Sequence, residues 1–143
     1  MERVWDMQEV DRVSGLIVDC GVRLHQRLGP GLLESVYETA LAQKLVEAGL
    51  YVQRQKSIDF LFDGHFYEGA FKADLVVNGL VLVELKCCER LAPAHFKQVL
   101  TYLRLTDFQV GLLMNFGGNT LKEGLHRVVN GYVPSGTERL RLR

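Results

Sequence analysis

In the segment Ala73–Cys87, ADLVVNGLVLVELKC, three charged side chains stand among apolar ones: Asp74, Glu84 and Lys86. Charged groups are rarely buried without a partner or a task. Two carboxylates that would repel each other become favourable around a divalent cation, and hard Mg²⁺ takes a few carboxylates together with water. An ammonium beside them can hold a hydroxide or a phosphate oxygen. The same pattern also fits a surface strand in which Glu84 and Lys86 merely offset each other. The apolar neighbours Leu75, Val76, Val81, Leu82, Val83 and Leu85 argue instead for a central strand.

Whether the two carboxylates meet depends on the turn between their strands. Side chains alternate along a strand, so Leu82, Glu84 and Lys86 share one face and Lys72, Asp74 and Val76 share another. A two-residue loop at Asn78-Gly79 would pair Asp74 with Val83 and set it on the face opposite Glu84. A three-residue loop, Val77-Asn78-Gly79 with Gly79 left-handed, would pair Asp74 with Leu82. Asp74 and Glu84 would then lie diagonally on one face, about 7–8 Å apart at Cα. A shared metal site therefore requires an odd-residue loop or a bulge.

The elements that must hold this hairpin can be read from periodicity. From about Met7 to Leu28, Val10, Val13, Ile17, Val18, Cys20, Val22 and Leu24 recur as in a helix, and Gly29-Pro30-Gly31 stops it. A second helix is expected from Leu32 to Ala48, with Gly49 as its stop. The period then changes to that of strands: YVQRQKSIDFLF, a turn at Asp63-Gly64, HFYEGAFKADLVV, a turn at Asn78-Gly79, and LVLVELKC. An amphipathic helix follows over Pro93–Leu105, with Pro93 in its first turn. The apolar run Phe108–Phe116 has the length of a strand buried on both faces. A weak strand closes the pattern near Leu125–Val129. The basic end TERLRLR is expected to fray. The order α-α-β-β-β-α-β-β gives an α/β domain around a mixed sheet.

The chain has 143 residues, 48% hydrophobic and 24% charged, as in an ordinary soluble domain. One domain of this size buries roughly two-thirds of its unfolded surface, so its core needs no disulfide or structural metal. Seventeen basic residues balance seventeen acidic ones. Overall charge thus argues neither for nor against nucleic acid, and a binding face would have to be a local patch. Cys20, Cys87 and Cys88 make no CxxC pair and read as reduced thiols of a cytoplasmic protein. The start MERVWDMQEV is not a signal peptide, and no stretch of about 18 apolar residues offers a membrane span.

Asp, a short turn, then Glu-x-Lys on the next strand resembles the PD-(D/E)xK nuclease superfamily, with Ala73 where a proline usually precedes the Asp. GLLESVY, Gly31–Tyr37, fits G-x-x-E-x-x-Y, the signature of the GxxExxY proteins. HQRLGPGLLESVYE, ADLVVNGLVLVELK and HFKQVLTYLRL are also similar to that family, and the likeness runs from about Val13 to Val129. It implies a restriction-endonuclease-like core, a mixed sheet flanked by helices, in a single domain.

The resemblance also implies roles. Asp74, Glu84, the backbone carbonyl of Leu85 and Glu34 would hold Mg²⁺ or Mn²⁺. Lys86 would position or deprotonate the attacking water. Glu34 also suits a helix N-terminus on dipole grounds alone. Gln98 resembles the glutamine that follows Glu-x-Lys in many such nucleases and would orient a metal-bound water, although a solvated helix face explains it too. Tyr37, His95, Tyr102 and Arg90 would contact substrate, with Tyr37 equally able to be a core aromatic. His25 fits a structural hydrogen bond. Arg54, Lys56, Lys72, Lys97 and Arg104 could meet a phosphate backbone. The implied partner is nucleic acid, DNA before RNA, with no membrane and with a homo-oligomer compatible. The rival class is a non-catalytic module that binds nucleic acid or protein on the same fold.

Overall fold

A computed structural model describes residues 4–131; the expected fraying of the basic tail falls outside them. Helix α1 spans Met7–Leu28 and starts at Asp6, whose carboxylate accepts the N–H groups of Gln8 and Glu9. It ends at Gly29, whose φ of 69° lies where side-chain-bearing residues are disfavoured. Helix α2 spans Glu34–Glu47. Strands β1 (Val52–Phe62), β2 (His65–Val77) and β3 (Val81–Lys86) follow, then α3 (Pro93–Thr106), β4 (Val110–Asn115), a short 3₁₀ turn at Lys122–Gly124, and β5 (Leu125–Val129). Apart from the 3₁₀ turn, this is the order that periodicity predicts.

The five strands form one mixed sheet in the order β1-β2-β3-β4-β5. β3 and β4 run parallel, with α3 as the crossover, and every other neighbouring pair is antiparallel. Apolar side chains cover both faces. On one, Leu75, Val77, Val81, Val83, Leu85, Val110, Leu112 and Met114 pack under α1 and α2. On the other, Val76, Leu82 and Leu113 pack under Val99 and Leu103 of α3. Burial on both faces explains why β3 and β4 read as nearly unbroken apolar runs. Glu84 interrupts β3 on the α3 face, so the charge stands inside the fold rather than on its surface.

The β1–β2 hairpin turns through Asp63 and Gly64, both left-handed, and Phe62 pairs with His65. Near the tip Phe60 pairs with Tyr67, whereas below the irregularity between Ile58 and Phe60 the partners are Ile58 and Phe71. The irregularity thus moves the inner register by two residues along β2. A plain hairpin would have set Gln55 against Lys72; the shifted one sets it against Asp74.

Candidate active site

The β2–β3 connection contains three residues, Asn78, Gly79 and Leu80, between the paired Val77 and Val81. The loop is odd, as a shared site requires, but its members differ from the expected Val77-Asn78-Gly79. Asn78 and Gly79 are both left-handed, and the Leu80 N–H donates to the Val77 carbonyl. Leu80 packs against the core and becomes the third loop residue. Asn78 is held to the chain before β1: its Oδ1 accepts the Tyr51 N–H at 2.7 Å and its own N–H donates to the Tyr51 carbonyl. The register is Leu75 with Val83, and one step further sets Asp74 opposite Glu84 itself, not diagonally beside it as expected.

At that step the strands part. The Asp74 N–H donates to Glu84 Oε1 at 3.2 Å, and the Leu85 N–H donates to Asp74 Oδ2 at 2.9 Å. Carboxylates therefore replace the carbonyls that a continued ladder would have offered. Glu84 is 4% exposed. Burial, and secondarily the charge of Asp74, pushes its carboxyl up to about 8; the Asp74 N–H and the Lys86 charge pull the other way. The Lys86 carbonyl accepts the Phe116 N–H on the β4 side. Leu85, one residue earlier, points its backbone the other way, so its carbonyl faces the gap beside Asp74. Lys86 is half-buried and joins none of the close ion pairs among the described residues.

Glu34 opens α2. The residue is exposed overall, but its carboxyl lies against the site. Partial burial is the main reason its pKa is raised, followed by the charge of Asp74, while Lys86 and the Cys87 N–H lower it. One turn further along α2, Glu38 is buried and had not been singled out from sequence. Arg54 donates to Glu38 Oε2 at 3.0 Å, and Gln55 Nε2 donates to Glu38 Oε1 and, at 3.1 Å, to Asp74 Oδ1. The signal for Glu38 was its i,i+4 relation to Glu34, which puts both on one helix face. Gln55 carried no such signal, because its place opposite Asp74 depends on the β1–β2 irregularity. Arg54, a candidate for phosphate contact, pairs with Glu38 and keeps part of its side chain exposed.

Helix α3 brings Gln98 and Tyr102 to the other flank. Gln98 Nε2 donates to the Tyr102 hydroxyl at 3.0 Å, and the Tyr102 ring stacks on Phe71 with centroids 3.7 Å apart. The Tyr102 hydroxyl is pushed up by burial, then by Glu84 and more weakly by Asp74, with Gln98 opposing. Gln98 is thus engaged with Tyr102 beside the carboxylates. His95 takes a structural contact: its Nδ1 accepts the Ala92 N–H at the start of α3. Arg90 lines a separate cavity of about 470 Å³ with Phe96, Asn115, Glu123 and His126.

Two aromatic groups belong to the core. Tyr37 is 0% exposed, stacks on Phe116 at 4.8 Å, donates from its hydroxyl to the Gly29 carbonyl and accepts the Leu32 N–H. It pins the Gly29-Pro30-Gly31 turn, and this burial removes it from the expected substrate contacts. His25 makes the structural bond that its position implied, Nε2 to the Phe116 carbonyl at 3.0 Å.

Among the described residues no three His, Cys, Asp or Glu side chains form a ready cluster for a metal. The donor chemistry nevertheless fits a hard dication. Asp74, Glu84 and the Leu85 carbonyl offer oxygen only, with Glu84 buried and Asp74 half-buried beside it. Mg²⁺ commonly uses one or two carboxylates and keeps several waters. Cys20, Cys87 and Cys88 are free thiols, and no helix among the described residues is long and apolar enough to cross a membrane.

No curated protein and no solved structure matches the chain. A family model does, over residues 11–128, which include most of α1, all of α2 and α3, the sheet up to Val128, and Glu34, Glu38, Asp74 and Glu84. With a five-stranded mixed sheet flanked by helices, the architecture is restriction-endonuclease-like, and the chain belongs to the PD-(D/E)XK nuclease superfamily.

Proposed function

We propose that this chain hydrolyses phosphodiester bonds in nucleic acid with the help of Mg²⁺ or Mn²⁺, and that it is one of the GxxExxY proteins within its superfamily. The carrying observation is the parting of β2 and β3, where Asp74 and Glu84 face each other with Lys86 one side chain further on the same face. Asp74, Glu84 and the Leu85 carbonyl would hold the ion, and Glu34 would complete its shell directly or through water. A bound dication would supply charge to the phosphoryl oxygens and a more acidic water. Lys86 Nζ, an ammonium with donors only, would orient the attacking water and stabilise the hydroxide left when its proton passes to solvent. Glu84 would give up the proton that burial holds on it and meet the ion as a carboxylate. Gln98 and Tyr102 border the cleft from α3, where an amide and a hydroxyl can meet the substrate or its waters.

DNA is the favoured substrate over RNA, and the free cysteines suit a reducing, cytoplasmic setting. The test is cleavage of single- and double-stranded DNA and RNA with Mg²⁺ or Mn²⁺, with Lys86→Ala as control. Metal-dependent cleavage lost in that variant supports the proposal. Tight nucleic-acid binding without cleavage under any metal would replace it with the non-catalytic module.

A further inference from the structure

Gln55 lies in the middle of β1 with φ 48°, the left-handed region that residues other than glycine avoid. The β1–β2 ladder passes from the pair Arg54 and Leu75 to the pair Lys56 and Ala73 without a rung between Gln55 and Asp74. An unfavourable backbone inside a strand persists only where its surroundings impose it. Here the surroundings are two carboxylates. A carboxylate accepts and cannot donate unless protonated, so an amide placed between Glu38 and Asp74 must turn its NH₂ to both. Gln55 has that arrangement, with one bond to Glu38 Oε1 and one of 3.1 Å to Asp74 Oδ1. Glu38 is itself fixed: it is buried and receives Arg54 at 3.0 Å, while Arg54 also donates to Thr39.

Asp74 is consequently gripped from two strands. Gln55 holds Oδ1 and the Leu85 N–H holds Oδ2. Each oxygen keeps a further lone pair, but the plane of the carboxyl group can no longer turn. We infer that Gln55 is a positioning residue, carried on Glu38 and Arg54, that presents the Asp74 carboxylate to a divalent cation. This rests on the metal-dependent reading of the site and adds to it a group that would not touch the ion. Partners that orient metal ligands are worth about 10–100-fold in metal affinity.

Two variants separate this role from a merely structural one. Gln55→Leu keeps the bulk and loses the NH₂. Gln55→Gly also loses it, but takes the left-handed backbone freely. Mn²⁺ calorimetry on the metal-free protein should show about 10–100-fold weaker binding in both. Melting of Gln55→Gly should occur at or above that of Gln55→Leu. Cleavage should show lower kcat with KM for nucleic acid unchanged, because the Gln55 amide is spent on Glu38 and Asp74. Wild-type Mn²⁺ affinity in Gln55→Gly overturns the inference while leaving the nuclease reading intact. A wild-type protein that binds no Mn²⁺ overturns both.

Discussion

Asp74 and Glu84 each hold a backbone donor of the other's strand: Glu84 accepts the Asp74 N–H at 3.2 Å, and Asp74 accepts the Leu85 N–H, next to Glu84, at 2.9 Å. The hairpin thus ends its ladder on two acidic side chains instead of two carbonyls. Buried against Asp74, Glu84 holds its proton up to about pH 8. On the proposed metal-dependent reading a cation would displace that proton, and the pH behaviour of the site follows.

Glu84 sets the sign of the first prediction. Below about 4.5, its ordinary value, the carboxyl is protonated in both folded and unfolded chains. Between that pH and about 8 the unfolded chain releases the proton while the folded chain keeps it. Glu84 thus makes metal-free stability fall as pH rises, by up to about 1.4 kcal/mol per pH unit across that window. Glu84→Gln is neutral and retains an acceptor for the Asp74 N–H. Thermal melts without metal should show the variant gaining on wild type from pH 5 to 8, while Mn²⁺ stabilises only wild type. Parallel wild-type and variant profiles would refute the elevated Glu84 carboxyl.

Metal binding by wild type should release a proton near neutral pH, because Glu84 must ionise to ligate. Calorimetry in two buffers of different ionisation enthalpy measures that proton directly. The uptake of Mn²⁺ should tighten as pH rises toward about 8 and then level off. Affinity independent of pH over this range would mean that Glu84 is not a ligand.

Lys86 and the carboxylates should separate binding from chemistry. Lys86 joins none of the close ion pairs among the described residues, so Lys86→Ala strands no tightly paired partner. Its fold should persist and Mn²⁺ should still bind, whereas cleavage should fall by about 10²–10³-fold, the usual range for a lost charge-stabilising donor. Asp74→Ala should lose the metal as well. Had Lys86 served as a buried ion pair, its removal would instead destabilise the protein by about 3–5 kcal/mol, which a melt would reveal.

Glu34 distinguishes a ligand from a helix-end charge. Glu34→Gln removes the negative charge at the start of α2, at a cost of about 0.3–1 kcal/mol if the dipole is its only partner. If it also faces the ion, Mn²⁺ affinity and kcat should both drop while melting hardly moves. Unchanged affinity would leave Glu34 with the dipole role alone.

The elements were legible because their signals are local. The glycines at 29, 49 and 64, the Asn78-Gly79 turn and Pro93 punctuate the chain where the helices and strands stop and start. The site was legible only in part. Asp74, Glu84 and Lys86 stand out as charges in apolar strands, and an odd loop was needed to join them. Which residues form that loop depends on whether Leu80 packs inward, a tertiary choice that the Asn-Gly signal does not carry. Gln55 was hidden by the two-residue shift between Phe60–Tyr67 and Ile58–Phe71, since no turn signal at Asp63-Gly64 announces it. Tyr37 illustrates the remaining difficulty: a ring near a site in sequence reads as a substrate contact until its burial and its partner Gly29 are seen.

Tyr37 therefore supports the last prediction. Its hydroxyl serves the Gly29 carbonyl and the Leu32 N–H, two backbone groups of the turn that delivers Glu34 to the site. Tyr37→Phe keeps the stack on Phe116 but leaves both groups without that partner. The cost should be about 1–3 kcal/mol of stability if water cannot replace the hydroxyl. Because Tyr37 is wholly buried, KM for nucleic acid should not change. Looser placement of the turn should instead lower kcat, and it should weaken Mn²⁺ binding only as far as Glu34→Gln does. A raised KM at unaltered kcat would return Tyr37 to the substrate-binding face.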